Sequence, residues 1–199
     1  MVIPGSISPD SIKNINKRIR TACEQSGRHE KDINIVAVTK SFGINAIISA
    51  LSLGIRCIGE NKSQEVEFKV PQITNTLDKE IHFIGHLQSN KVRKVLNLVD
   101  VVETVDSLKL ANKINNLSKE LKKKTKIFLQ VNTGNDPNKY GFNTKQIILA
   151  SEKISQMDNL YLSGIMTIPP RLKNTTKLKD IFNKTRKIRD EIQKNINPN

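Results

Sequence analysis

The sequence predicts an α/β protein of the TIM-barrel type, incomplete, with about six strand-helix units behind an N-terminal helix. Short β-branched runs alternate strictly with helically spaced apolar residues, a pattern that implies parallel strands joined by right-handed crossovers. Polar, glycine-containing segments recur just after the strands, at the end where barrel proteins place their function. Neither a G-x-G-x-x-G turn nor a Walker loop follows any strand, so an open nucleotide-binding sheet is disfavoured.

The 199 residues suit a single domain over 1–199, without a Gly/Ser or Pro-rich linker. Ser8 is placed to cap a helix with Pro9 and Asp10 in its first turn. Ile12, Ile15, Ile19, Ala22 and Cys23 give that helix one apolar face, and Gly27 ends it. Residues 34–41, Asn-Ile-Val-Ala-Val-Thr-Lys-Ser, read as a first strand buried on both faces. Ile44, Ile47, Ile48 and Leu51 predict a helix stopped by Gly54, and Ile55 to Ile58 predicts the second strand, ending in Gly59-Glu60-Asn61. A helix around Val66 is broken by Pro71, and Ile81 to Ile84 is the third strand. Val92, Val95 and Leu96 face inward, Val99 to Val105 is a fourth strand, and Asp106 or Ser107 caps a helix striped by Leu110, Ile114, Leu117 and Leu121. Lys126 to Val131 is the fifth strand, followed by a long, turn-rich loop over 132–142 of the kind that carries function. A helix with Ile147, Ile148 and Ile154 leads to the sixth strand, Leu160 to Met166. Leu178, Ile181, Phe182, Thr185, Ile188 and Ile192 mark a last helix, and the Asn-rich end should fray.

The formal net charge of +14 invites a nucleic-acid reading. The lysines are spread along nearly every predicted helix, however, and the scarce aromatics form no base-stacking pattern, so no specific nucleic-acid partner is expected. The N-terminal residues lack signal-peptide character and no apolar stretch reaches membrane-spanning length, so a soluble, cytoplasmic protein without a membrane partner is expected. Cys23 and Cys57 lack CxxC spacing and read as reduced core residues.

Lys40 is the candidate reactive group. A lysine at the C-terminal end of a buried strand is expected to be partly dehydrated, which favours the neutral amine that attacks aldehydes. Asn61 and the Gly85 turn follow the next two strands, so the three are placed to converge on one planar ligand. His82 and His86 are four residues apart but lie on a strand and its turn, with no thiolate nearby in sequence, so no metal site is expected. The serines show no nucleophile-elbow spacing.

Several stretches together resemble the pyridoxal phosphate homeostasis proteins, the YggS/PROSC family, which share the fold of the alanine racemase N-terminal domain. They are Ala37-Val38-Thr39-Lys40, Gly59-Glu60-Asn61 with Glu65, residues 82–91 (HFIGHLQSNK), Gln130-Val131-Asn132 with Lys139 and Gly141, and Gly164-Ile165-Met166-Thr167. The resemblance implies that Lys40 holds pyridoxal 5'-phosphate as an internal aldimine, with Asn61 lining the pocket and Gly85 and Met166 near it. It further implies a cofactor buffer or carrier that serves apo-enzymes, with no catalytic residue of its own. Two departures stand out: Ile81 replaces the family's tryptophan, and Asp136 stands for its longer acidic residue. The family's seventh and eighth strands, which carry most of the grip on phosphate, have no counterpart before the chain ends. A six-stranded barrel would leave two open edges, so a poorly stable monomer or an edge-paired homodimer is expected. Two other readings remain open: a racemase-like enzyme, which needs a second base opposite Lys40, and a basic interaction protein that has lost the cofactor.

Overall fold

In the computed structural model, residues 6–73 and 78–196 are described, and they divide into two compact units, 1–82 and 83–199. The predicted fraying of the last residues lies outside the described part.

The first unit begins with α1, Pro9–Ser26, which Gly27 ends in the left-handed conformation at φ 64°. Ser8 stands at the cap position but makes no side-chain cap bond, so the proline that follows sets the start of the helix. Of the predicted apolar face, Cys23 alone is fully buried and Ile15 is 38% exposed. Then come β1 (Val36–Val38), α2 (Ile44–Ser52), β2 (Cys57–Glu60), α3 (Ser63–Lys69) and β3 (Glu80–Phe83). β1 and β2 pair in parallel, Val38 opposite Gly59.

The long first strand, buried on both faces, is corrected by the structure. β1 has three residues and one covered face: Ala37 and Thr39 are buried, while Val38 is 47% exposed. The extended run stops because Lys40 opens a turn in which Ser41 takes φ 66°.

The second unit holds α4 (Val92–Leu96), β4 (Val101–Val105), α5 (Leu108–Glu120), β5 (Thr125–Gln130), α6 (Gln146–Ser155), β6 (Leu160–Met166) and α7 (Thr175–Ile196). β4 pairs with β5 and β5 with β6, both in parallel. Ser107, not Asp106, caps α5, accepting from the Leu110 N–H at 3.2 Å. The predicted stripe is buried at Leu110, Ile114 and Leu117 against strands whose Val101, Val102, Val105, Ile127 and Leu129 are fully buried. Among the described residues no helix is long and apolar enough to cross a membrane.

Candidate functional site

Lys40 stands two residues beyond β1, and Asn61 is the first residue beyond β2. The parallel register pairs residues 21 apart, and Lys40 and Asn61 are also 21 apart, so the fold brings these two to the same level at the C-terminal ends of neighbouring strands. Lys40 is exposed, which corrects the expectation of a dehydrated amine. The strand end places its backbone in the turn that follows β1, and Val38, two residues earlier, is exposed as well. Asn61 is half-buried, and its Oδ1 is buried without a hydrogen-bond partner.

The backbone around Lys40 is held on both sides by a buried ionic cluster. Lys69 Nζ donates to the Thr39 carbonyl at 3.0 Å, to Glu60 Oε1 at 2.8 Å and to Glu65 Oε2 at 2.6 Å. The Thr39 hydroxyl donates to the same Glu60 oxygen at 2.6 Å, and the Ser41 N–H donates to Glu65 Oε2 at 2.9 Å. The residue before Lys40 is thus anchored to α3 and β2, and the residue after it to α3. The anchoring leaves the amine's own stem free while removing most freedom from its Cα. That is the arrangement a reactive lysine needs to meet a ligand in one geometry.

The electrostatics of the cluster are unequal. Burial raises the Glu60 carboxyl above its usual range and outweighs the hydrogen bonds from Lys69 and Thr39. For Glu65, burial acts in the same sense, but Lys69 and the Ser41 N–H together outweigh it and hold that carboxyl low. For Lys69, burial alone would lower the ammonium, and its two carboxylate partners raise it instead. Glu60 Oε2 has no hydrogen-bond partner, so one ammonium serves two carboxylates, with the deeper one poorly served.

The pH consequences have opposite signs. The stabilisation from Glu65 is present above the ordinary carboxylate range and lost as pH falls through its lowered value. That from Lys69 is present below the ordinary lysine value and lost as pH rises through its raised one. Glu60, with a raised value, costs stability as pH rises from the ordinary carboxylate range through that value. Glu60→Gln retains an acceptor for Thr39 and Lys69 and removes the ionisation. Urea unfolding of both proteins at pH 4 and pH 8 should therefore show the variant's stability relative to the parent improving with pH. Any cost of the new amide that does not depend on pH cancels in this comparison. A relative loss on raising the pH would show that the Glu60 charge is stabilising and the account wrong.

The second unit carries its own set at strand C-termini. The carbonyl of Gly85, just past β3, accepts from the Thr104 hydroxyl of β4. His86 Nδ1 lies 3.1 Å from Asp106 Oδ2, and its ring stacks on Tyr140 with centroids 3.7 Å apart at 11°. The loop over 132–142 is tied down. Phe142 N–H donates to the Gln130 carbonyl at 2.8 Å, Asn132 side-chain atoms bond the backbone at Asp136 and Lys139, and Lys139 Nζ reaches the Ile168 and Pro169 carbonyls. Met166 ends β6, half-buried, opposite Gln130. Gly85 and Met166 therefore stand at strand ends of the second unit, as Lys40 and Asn61 do in the first. A cleft of about 600 Å³ along β6 and α7 is lined by none of these four residues.

Sequence reasoning missed Lys69, whose only sequence signal is its i,i+4 relation to Glu65. It missed the His86–Tyr140 stack, which joins two loops. It also placed no thiol near His82, and this is corrected: Cys57, on the neighbouring strand, brings its sulfur to the Glu80 carboxylate that His82 also contacts.

Comparison with known proteins supplies the family. The family model described as alanine racemase, N-terminal domain, matches residues 11–199. The pyridoxal phosphate homeostasis protein of Aquifex aeolicus is 30% identical over 188 residues, covering 94% of this chain and 82% of that protein. The structure of PipY, the COG0325 family member of Synechococcus elongatus, with PLP bound, superposes with a TM-score of 0.76 at 27% identity, over 89% of this chain and 82% of PipY. Alanine racemase of Clostridium difficile, at 16% identity, a TM-score of 0.72 and coverage of 91% of this chain and 47% of its own, shows the shared barrel fold. The chain belongs to the alanine racemase N-terminal domain family and, within it, to the pyridoxal phosphate homeostasis proteins.

Proposed function

We propose that this chain binds pyridoxal 5'-phosphate at Lys40 and holds it in reserve in the cytoplasm for apo-enzymes, without turning over amino acids. The observation that carries the reading is a lysine with both backbone neighbours anchored, level with an asparagine whose buried oxygen lacks a partner. The residues fit the group. A primary amine condenses with an aldehyde to give a Schiff base and water, and an unpartnered buried amide oxygen accepts a hydrogen bond from a phenol or pyridinium. The cofactor supplies the electrophilic aldehyde. The chain's part is to aim the amine, through Thr39 and Ser41, and to offer Asn61 beside it. The PLP-bound relative supports this reading.

The absence of turnover rests on proton chemistry. Racemisation at an α-carbon needs an acid and a base on opposite faces, and the first unit offers Lys40 on one. The test is borohydride reduction after incubation with pyridoxal 5'-phosphate, followed by peptide mapping. The label should fall on the peptide containing Lys40 and vanish in Lys40→Ala. Equal labelling of that variant would assign the adduct to surface lysines and overturn the site. Alanine racemisation lost in Lys40→Ala would overturn the non-catalytic reading and leave the site standing.

A further inference from the structure

Cys57 is the first residue of β2, and Glu80 is the first of β3. The Glu80 N–H donates to the Arg56 carbonyl at 2.9 Å, which in a parallel ladder sets Cys57 beside Glu80 with both side chains on one face. His82, two residues along β3, returns to that face. Cys57 Sγ lies 3.8 Å from Glu80 Oε2, and His82 Nε2 lies 3.0 Å from the same oxygen. All three donor atoms fall within 4.8 Å of one another. A tetrahedral zinc ion with bonds of about 2.0–2.3 Å keeps its ligand atoms about 3.3–3.6 Å apart, so two of these separations already bracket the required value.

We propose that Cys57, Glu80 and His82 form a three-ligand site for a thiophilic divalent cation of the zinc type, with the fourth position left to water or an external ligand. The donor set favours such an ion. Thiolate and imidazole select zinc over magnesium or calcium, and thiolate plus carboxylate neutralise its two charges. The support is rigid, because all three residues sit on paired strands and none on a loop. The His82 side chain is only 7% exposed and that of Glu80 is 34% exposed, so one side of the group is dry and the other admits an ion. On binding, the Cys57 thiol loses its proton to solvent and the His82 ring carries its N–H on Nδ1, leaving Nε2 to the metal. Binding needs the thiolate and an unprotonated Nε2, so protons leave as the ion binds and affinity rises with pH. Cys57 precedes Asn61 by four residues, roughly 13 Å of strand, so the thiol enters from the end of β2 opposite to Asn61.

The experiment is a cobalt(II) titration of the full, reduced and chelator-treated chain, followed by displacement with zinc. One equivalent of cobalt should develop a thiolate-to-metal charge-transfer band, and zinc should bleach it. Cys57→Ser should abolish the band, and Cys23→Ser should retain it. Glu80→Gln, which keeps the shape of the pair with His82, should weaken binding on the order of a hundredfold. Circular dichroism of each variant shows whether it is folded, and Glu80→Gln preserves the test should Cys57→Ser fail to fold. Absence of the band at stoichiometric cobalt would overturn the proposal, as would its survival in Cys57→Ser or an unchanged affinity in Glu80→Gln. In any of these cases the three residues form an ordinary His–Glu hydrogen bond beside a thiol.

Discussion

Lys69→Met should cost about 3–5 kcal/mol of folding stability, the usual consequence of removing one partner from a buried ion pair. The Glu60 side chain is 0% exposed and that of Lys69 only 5%, so the carboxylate left behind has no water to turn to. Glu65 would lose its ammonium, and the Thr39 carbonyl its donor, in the same step. Against a typical total of about 5–15 kcal/mol, the loss is large enough to leave much of the protein unfolded at body temperature. Urea unfolding measures it. The double variant Lys69→Met/Glu60→Gln should recover a substantial part, because it removes the stranded charge together with its partner. A single variant within about 1 kcal/mol of the parent would mean that water reaches Glu60 or that the cluster does not form.

Gly141→Ala should cost at least about 1–3 kcal/mol, the range for a residue forced into a sparsely populated backbone region. Gly141 sits at φ 127°, and a Cβ there would lie 2.9 Å from the Asn132 nitrogen and 3.0 Å from the Gln130 carbonyl oxygen. Both are backbone atoms of the strand end onto which the 132–142 loop folds back, so they cannot step aside as a flexible side chain would. Gly27→Ala is the control. Its φ of 64° lies in the left-handed region that other residues can adopt, and nothing lies within 4 Å of its added Cβ. Its loss should stay smaller, about 1 kcal/mol. Equal losses in the two variants would show that the loop yields to the new methyl group and that neither the crowding nor the unusual φ at Gly141 is costly.

The alternation of strands and helices was legible because each element declares itself within a few residues. β6 occupies Leu160–Met166, the bounds its apolar run predicts. β1 was over-read because β-branched residues mark extended backbone but not which part of it finds a partner, and its ladder ends at Val38 and Gly59. The placement of Lys40 and Asn61 was legible through position, each just past the end of a strand. The exposure of Lys40 was not legible, since a strand end says nothing of what covers it. Lys69 was hidden in a helix rich in charge, where Glu65 and Lys69 read as a surface pair until β1 and β2 close over them. Cys57 and His82 are 25 residues apart, and their closeness depends on the register between two strands. No pattern within either strand encodes that register.

The cluster that seats Lys40 is assembled from a short length of chain. Its bonds join Thr39, Ser41, Glu60, Glu65 and Lys69, with separations between 4 and 30 residues. Contacts so close in sequence close small loops, which is the cheapest kind of order for a folding chain to reach. As the chain is made N-terminus first, every side chain of the set that anchors the backbone around Lys40 has been synthesised once Lys69 has, well before β4. Nascent chains released at about residue 90 would already carry the whole anchoring set.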